Sequence, residues 1–122
     1  MLLAIDIGNT NLTGGVFVGG KLKYRFDLPT KTYKKAQLIK KLKAYSEIST
    51  TIICSVVPKL TGVVWRDLKS FTGQNIYIVG KDLVVPIKNL YRLPKQVGQD
   101  RLVNAYAAIN LYAVPLIVID SG

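Results

Sequence analysis

The 122-residue chain carries 17 Lys and Arg against 7 Asp and Glu, a formal charge of +10, and 49% of its residues are hydrophobic. That length and apolar content suit one domain whose core needs no disulfide, and with no His in the sequence Ser-His or Cys-His catalysis and His-based metal sites are excluded, leaving acid/base work to Asp, Glu, Lys or Tyr. The basic excess admits nucleic acid, anionic lipid or anionic small molecules as partners without choosing among them, although its concentration in Lys between Lys21 and Lys43 suits a solvated face better than an arginine-rich groove. Cys54, alone within an apolar run, suits a small buried strand residue in a reducing compartment. No basic leader and no apolar stretch of membrane-spanning length is present, so a soluble cytoplasmic protein without membrane association is expected.

The first predicted element is a buried strand, Leu2-Leu3-Ala4-Ile5, that ends on a carboxylate, Asp6, and runs through Ile7 into the turn residues Gly8-Asn9-Thr10-Asn11. Gly8 lets the backbone approach a bound group, the Asn and Thr residues offer donors, and a carboxylate beside such a turn can hold a metal ion against a phosphate. The same residues also fit a plain hairpin turn with a solvated Asp6. Leu12 to Val18 follows as a second strand, and Gly19-Gly20 signals a hairpin into Lys21 to Leu28, where apolar and charged residues alternate. Gly15 and Gly20-Lys21 fit most of a phosphate-binding P-loop, but Leu22 replaces its hydroxyl residue and the segment joins strand to strand, so a P-loop is rejected.

Pro29 ends the third strand, and Thr30 or Thr32 is expected to cap a helix running to about Tyr45 with Leu38, Ile39, Leu42 and Tyr45 on one side. Thr51 to Val57 reads as a strand covered on both faces. Pro58 then opens a helix over Lys59 to Phe71 that Gly73 ends, with Trp65 off the apolar stripe as a packing or interface residue. Ile76 to Val79 is a fifth strand, and Lys81 to Pro94 a long irregular connection. Gln96-Val97-Gly98-Gln99-Asp100-Arg101 opens a third helix with Asp100 in its first turn, where an acidic residue would also complement the helix dipole. The last segment, Pro115 to Asp120 followed by Ser121-Gly122, repeats the opening theme of apolar strand, Asp at its tip, then Gly.

Two strand-end Asp-x-Gly elements, with a third Asp at a Gly-x-Asp-Arg helix start between them, stand out in a chain with so few acids. In the order β-β-β-α-β-α-β-α-β they resemble the acetate and sugar kinase, heat-shock protein and actin superfamily, whose ATP phosphates lie between two ribonuclease H-like domains that each contribute a strand-end Asp. Within it the chain is most similar to type III pantothenate kinase. Asp6-Ile7-Gly8-Asn9-Thr10-Asn11 looks like that family's first phosphate motif, Ser55-Val56-Val57-Pro58 its strand-to-helix joint, Gly98-Gln99-Asp100-Arg101 its substrate motif, and Asp120-Ser121-Gly122 the start of its second phosphate motif. Two departures are visible. Position 99 is Gln where the family usually has Ala, and the second motif normally continues from its Gly into a Thr beyond position 122, so a fragment or truncated product, inactive alone, is expected.

The resemblance implies an α/β, ribonuclease H-like (actin-like ATPase) domain over residues 1–114, its mixed sheet built of three antiparallel and then parallel strands with flanking helices. Residues 115–122 would be the first strand of a second such domain. It further implies ATP-dependent phosphorylation of pantothenate to 4′-phosphopantothenate, the first step of coenzyme A biosynthesis, with Asp100 as general base. ATP phosphates and Mg²⁺ would be held by Asp6, Ile7, Gly8, Asn9, Thr10, Asn11, Leu12 and Thr13, with Asp6 acting through the metal. Pantothenate would be gripped by Tyr91, Gly98, Gln99, Asp100 and Arg101, and Asp120 would bind a monovalent cation, K⁺ or NH₄⁺. A homodimer is implied for the full-length family. The alternative, a non-catalytic Bvg accessory factor-like protein linked to transcription, would use the basic excess, but no nucleic-acid-binding motif is present and an intact Asp100 has no purpose there, so nucleic acid is not the expected partner.

Overall fold

The computed structural model describes residues 1–72 and 75–120. Five strands form one mixed sheet: β1 (Leu2–Ile7), β2 (Asn11–Val18), β3 (Lys21–Pro29), β4 (Thr50–Ser55) and β5 (Asn75–Ile78), in the spatial order β3-β2-β1-β4-β5. The first three pair antiparallel through short turns, with Gly19 and Gly20 both at positive φ as a two-residue hairpin requires. β4 joins parallel to β1 and β5 parallel to β4, each after a helical crossover: α1 (Lys35–Leu42) and then α2 (Pro58–Thr72). The expected α/β mixed sheet, three antiparallel strands and then parallel ones, is therefore what forms, and it places β1 at the centre.

Alternation along β1 divides its side chains between two environments. Leu3, Ile5 and Ile7 are buried against Leu38 and Leu42 of α1 and Val64 and Leu68 of α2, in one continuous core with Phe26, Leu28 and Ile53. Ala4 and Asp6 face the other side, where α3 (Gln99–Leu111) approaches β4 and Val103 helps to line an apolar cavity with Ala4, Gly15, Phe17, Ile52 and Cys54. Trp65 packs against the core. Gly14 pairs with Phe26 across β2 and β3, and a Cβ at position 14 would collide with that buried ring. Gly14→Ala is accordingly expected to destabilise the fold by about 1–3 kcal/mol, the range for overpacking a core, read as a lower urea midpoint at unchanged slope.

Three local expectations are corrected. Neither Thr30 nor Thr32 caps α1, which begins after Lys34 without a side-chain cap, because the Thr30 hydroxyl is spent on the carbonyl of Gly8. That helix stops at Leu42, and Tyr45 lies beyond it, stacked on Tyr24 at 5.2 Å between ring centroids. No strand forms over residues 115–120, since a strand needs a neighbour to complete its ladder and among the described residues none is alongside; Ile117 and Ile119 are 89% and 86% exposed. The helix-ending role of Gly73 falls outside the described residues. Among those described, no helix is long and apolar enough to cross a membrane.

Candidate functional site

The site is built where β1 ends. The Gly8 N–H donates to the carbonyl of Asn11 at 2.9 Å, closing the turn between β1 and β2, and Thr30 fastens the same turn from the end of β3: its N–H donates to Thr10 O at 2.9 Å and its hydroxyl to Gly8 O at 2.8 Å. A turn held from both sides is preorganised, and Asn9, Thr10 and Asn11 stand exposed on it. The candidate phosphate residues thus separate into two kinds. Ile7 and Leu12 are buried core residues that could serve a ligand only through their backbone, and the Thr13 hydroxyl donates to the Asp27 carboxylate, whereas Asp6, Asn9, Thr10 and Asn11 present side chains to solvent.

Two further element ends meet this turn. At the β4–α2 joint, Val56 N–H donates to Ile7 O at 3.1 Å, Val57 N–H donates to the Ser55 hydroxyl at 3.0 Å, and Thr61 Oγ1 lies 2.7 Å from Ser55 Oγ, so the first turn of α2 is tied to the end of β1. Pro58 opens α2 as its sequence position predicts. Gly98 precedes α3, and a Cβ there would meet the Asp100 carboxylate, with Val56 the next nearest neighbour at 3.8 Å. Gly98 has φ −61, so it is required for space and not for a left-handed conformation.

Asp100 stands in the first turn of α3, close enough to Asp6 for their charges to interact. The Asp6 carboxyl is held above its ordinary pKa, first by partial burial and then by repulsion from Asp100 and Asp120. Burial, followed by the same Asp6 and Asp100 charges, pushes the Cys54 thiol up to about 11, so Cys54 is inert at neutral pH. An acid whose pKa is raised on folding destabilises the folded state once pH exceeds that raised value, and the cost fades as pH falls towards the unfolded value. Asp6→Asn is therefore expected to raise the melting midpoint at pH 7 by roughly 1–3 °C, with the gain vanishing below about pH 4, as thermal melts across pH would show.

Asp120 and Val118 line a cleft of about 440 Å³ with Arg101, Asn104 and Ala105 of α3. The structure thereby brings the candidate cation ligand Asp120 and the candidate substrate ligand Arg101 to one cavity, with Asn104 as a polar neighbour that no sequence motif singled out. Tyr91 is not brought in. It is 58% exposed in the irregular connection, where its N–H donates to Asn89 Oδ1 at 3.0 Å, and among the described residues no hydrogen bond joins its side chain to Gly98, Asp100 or Arg101. Ser121 and Gly122 fall outside the described residues. Thr30 was also missed, because a Thr after Pro29 reads equally well as a cap, and only the β2–β3 register reveals which carbonyl it reaches.

A sequence model of the family described as type III pantothenate kinase matches residues 2–122. The chain belongs to the type III pantothenate kinase family. Over its whole length it is 36% identical to the type III pantothenate kinase of Brevibacillus brevis, 39% to that of Persephonella marina and 34% to that of Finegoldia magna. It spans about half the length of these relatives, covering 51%, 51% and 50% of them respectively. The actin-like ATPase fold expected from the resemblance agrees with the observed sheet order and with the family, and none of these matches favours the transcription-associated alternative.

Proposed function

We propose that the whole protein transfers the γ-phosphoryl group of ATP to the 4′-hydroxyl of pantothenate, in the cytoplasm, with residues 1–114 as the first of two actin-like domains and residues 115–122 as the start of the second. The observation that carries this is the convergence at one end of the sheet of the Asp6 turn and the first turn of α3. Phosphoryl transfer asks little covalent chemistry of a protein: a cradle for phosphates, dispersal of charge, and a base to orient the attacking hydroxyl. The β1–β2 turn supplies the cradle through the exposed residues Asn9, Thr10 and Asn11, held in place by the Gly8 N–H bond to Asn11 O. Asp100 takes the proton of the attacking hydroxyl, and Gly98 leaves the space in which its carboxylate sits. Arg101 and Asn104, on the cleft beside them, offer donors to a polar, anionic substrate. Tyr91, exposed on the irregular connection, would have to move towards this cleft to reach a bound substrate.

Asp6, with the Asp100 and Asp120 carboxylates near enough to repel its charge, is a setting that favours cations. Among the described residues no three Cys, Asp or Glu side chains are close enough to enclose a metal by themselves, so an ion there would complete its shell with phosphate oxygens and water, as Mg²⁺ commonly does. Asp6 would hold Mg²⁺ and Asp120 a monovalent cation. Bound there, these ions would neutralise charge on the transferring phosphates. Dimerisation, implied for the full-length family, would add to the pantothenate pocket across the interface. In a version carrying the second half present in relatives, turnover is expected to rise at least about tenfold when K⁺ or NH₄⁺ replaces Na⁺ or Tris, an electrostatic effect of roughly 1.4 kcal/mol on the barrier. Equal activity in all four salts would remove Asp120 from a monovalent-cation site.

A further inference from the structure

Helix α3 is loosely held along most of its length: none of its residues is buried, and Tyr106, Ile109 and Leu111 are exposed. Its first turn has a specific partner in the turn after β5. β5 runs into a tight turn in which the N–H groups of Lys81, Asp82 and Leu83 converge on the Ile78 carbonyl at 3.2, 2.8 and 3.3 Å. The Asp82 carboxylate accepts the Ile78 N–H at 2.8 Å, and the Gly80 N–H donates to Leu83 O at 2.7 Å. Gly80 has φ +84, and the Gln99 side chain lies across it, its Cδ, Cγ and Nε2 at 2.8, 2.9 and 3.1 Å from the place a Cβ would occupy. Only glycine both adopts that φ readily and leaves that space.

We propose that Gln99 is a positioning residue: its side chain, seated over Gly80, clamps the first turn of α3 to the turn after β5 and so fixes where the Asp100 carboxylate stands. Asp100 is the next residue, at a radius of about 5–6 Å from the helix axis, so a rotation of that turn by roughly 20° would displace its carboxylate by about 2 Å. A displacement of that size is enough to spoil an attack geometry. The clamp works by packing of the Gln99 methylene and carboxamide carbons against backbone, on a turn whose own hydrogen bonds make it rigid. Its catalytic meaning rests on Asp100 acting as the base, whereas the clamp itself does not.

The test compares the 122-residue chain with its Gln99→Ala and Gln99→Met variants by amide hydrogen exchange and by the carboxyl-carbon resonance of Asp100. Gln99→Ala is expected to speed exchange at Leu102 and Val103 by about tenfold or more and to move the Asp100 resonance, with β1 and β4 amides unchanged. Gln99→Met, which keeps the length and packing atoms, restores both. Unchanged exchange in Gln99→Ala, equal acceleration throughout the sheet, or failure of Gln99→Met to restore the Asp100 resonance would each overturn the clamp. In a version with the second half, Gln99→Ala should lower kcat and leave the KM for ATP in place. If exchange responds and kcat does not, the clamp stands and the assignment of Asp100 as base is what fails.

Discussion

Asp100→Asn, in a version of the protein that carries the second half found in its relatives, is expected to lower turnover by at least about a hundredfold while leaving ATP affinity nearly unchanged. Asn keeps the shape of the side chain over Gly98 and the helix start around it, but it cannot accept a proton at neutral pH. It also removes a negative charge facing Asp6, so the raised pKa of Asp6 should relax and ATP binding should not suffer. Steady-state kinetics with separate titrations of ATP and pantothenate decide the matter. Parallel losses in ATP binding and turnover would assign Asp100 to holding α3 against the joint at Val56 instead of to proton transfer.

The 122-residue chain by itself is expected to fold cooperatively and to show no measurable phosphorylation of pantothenate. Folding is expected because the core of Leu3, Ile5 and Ile7 with α1 and α2 is closed within these residues. Catalysis is not, because the chain spans about half the length of its relatives and, in the proposed arrangement, ATP phosphates lie between two domains. Losing that positioning forfeits much of an effective-molarity advantage of roughly 7–11 kcal/mol, which would bring turnover below detection. A urea titration that shows one cooperative transition, beside a coupled assay at high protein concentration, checks both halves; near-native turnover would overturn the second.

The sequence made the sheet legible because its signals were local and mutually consistent. Alternation in Lys21 to Leu28, the Gly19-Gly20 hairpin and Pro58 at a helix start each act within a few residues, and each is where it was expected. What escaped depends on contacts distant in sequence. Thr30 looked like a helix cap because its partner, the Gly8 carbonyl, is brought to it only by strand pairing. The final apolar run looked like a strand because composition reports preference, whereas a strand requires an adjacent backbone. At the site, the Asp6 turn and the Gly98 to Arg101 helix start could be recognised from their residues. Their convergence was implied only by the family resemblance, because in physical terms it depends on the parallel pairing of β1 with β4 and on the joint at Ser55 that ties α2 to the end of β1. Gln99 over Gly80 was equally hidden, being a contact between a helix start and the turn that closes a preceding strand.

Transfer of label from γ-labelled ATP to pantothenate, measured on a version with the second half and on its Asp100→Asn counterpart, tests the central claim most directly. The proposed function requires labelled 4′-phosphopantothenate that forms only when pantothenate is supplied and falls by at least about a hundredfold in the variant. A folded, nucleotide-binding protein that releases labelled phosphate at the same rate with and without pantothenate, or that labels pantothenate equally well without the Asp100 carboxylate, would contradict it.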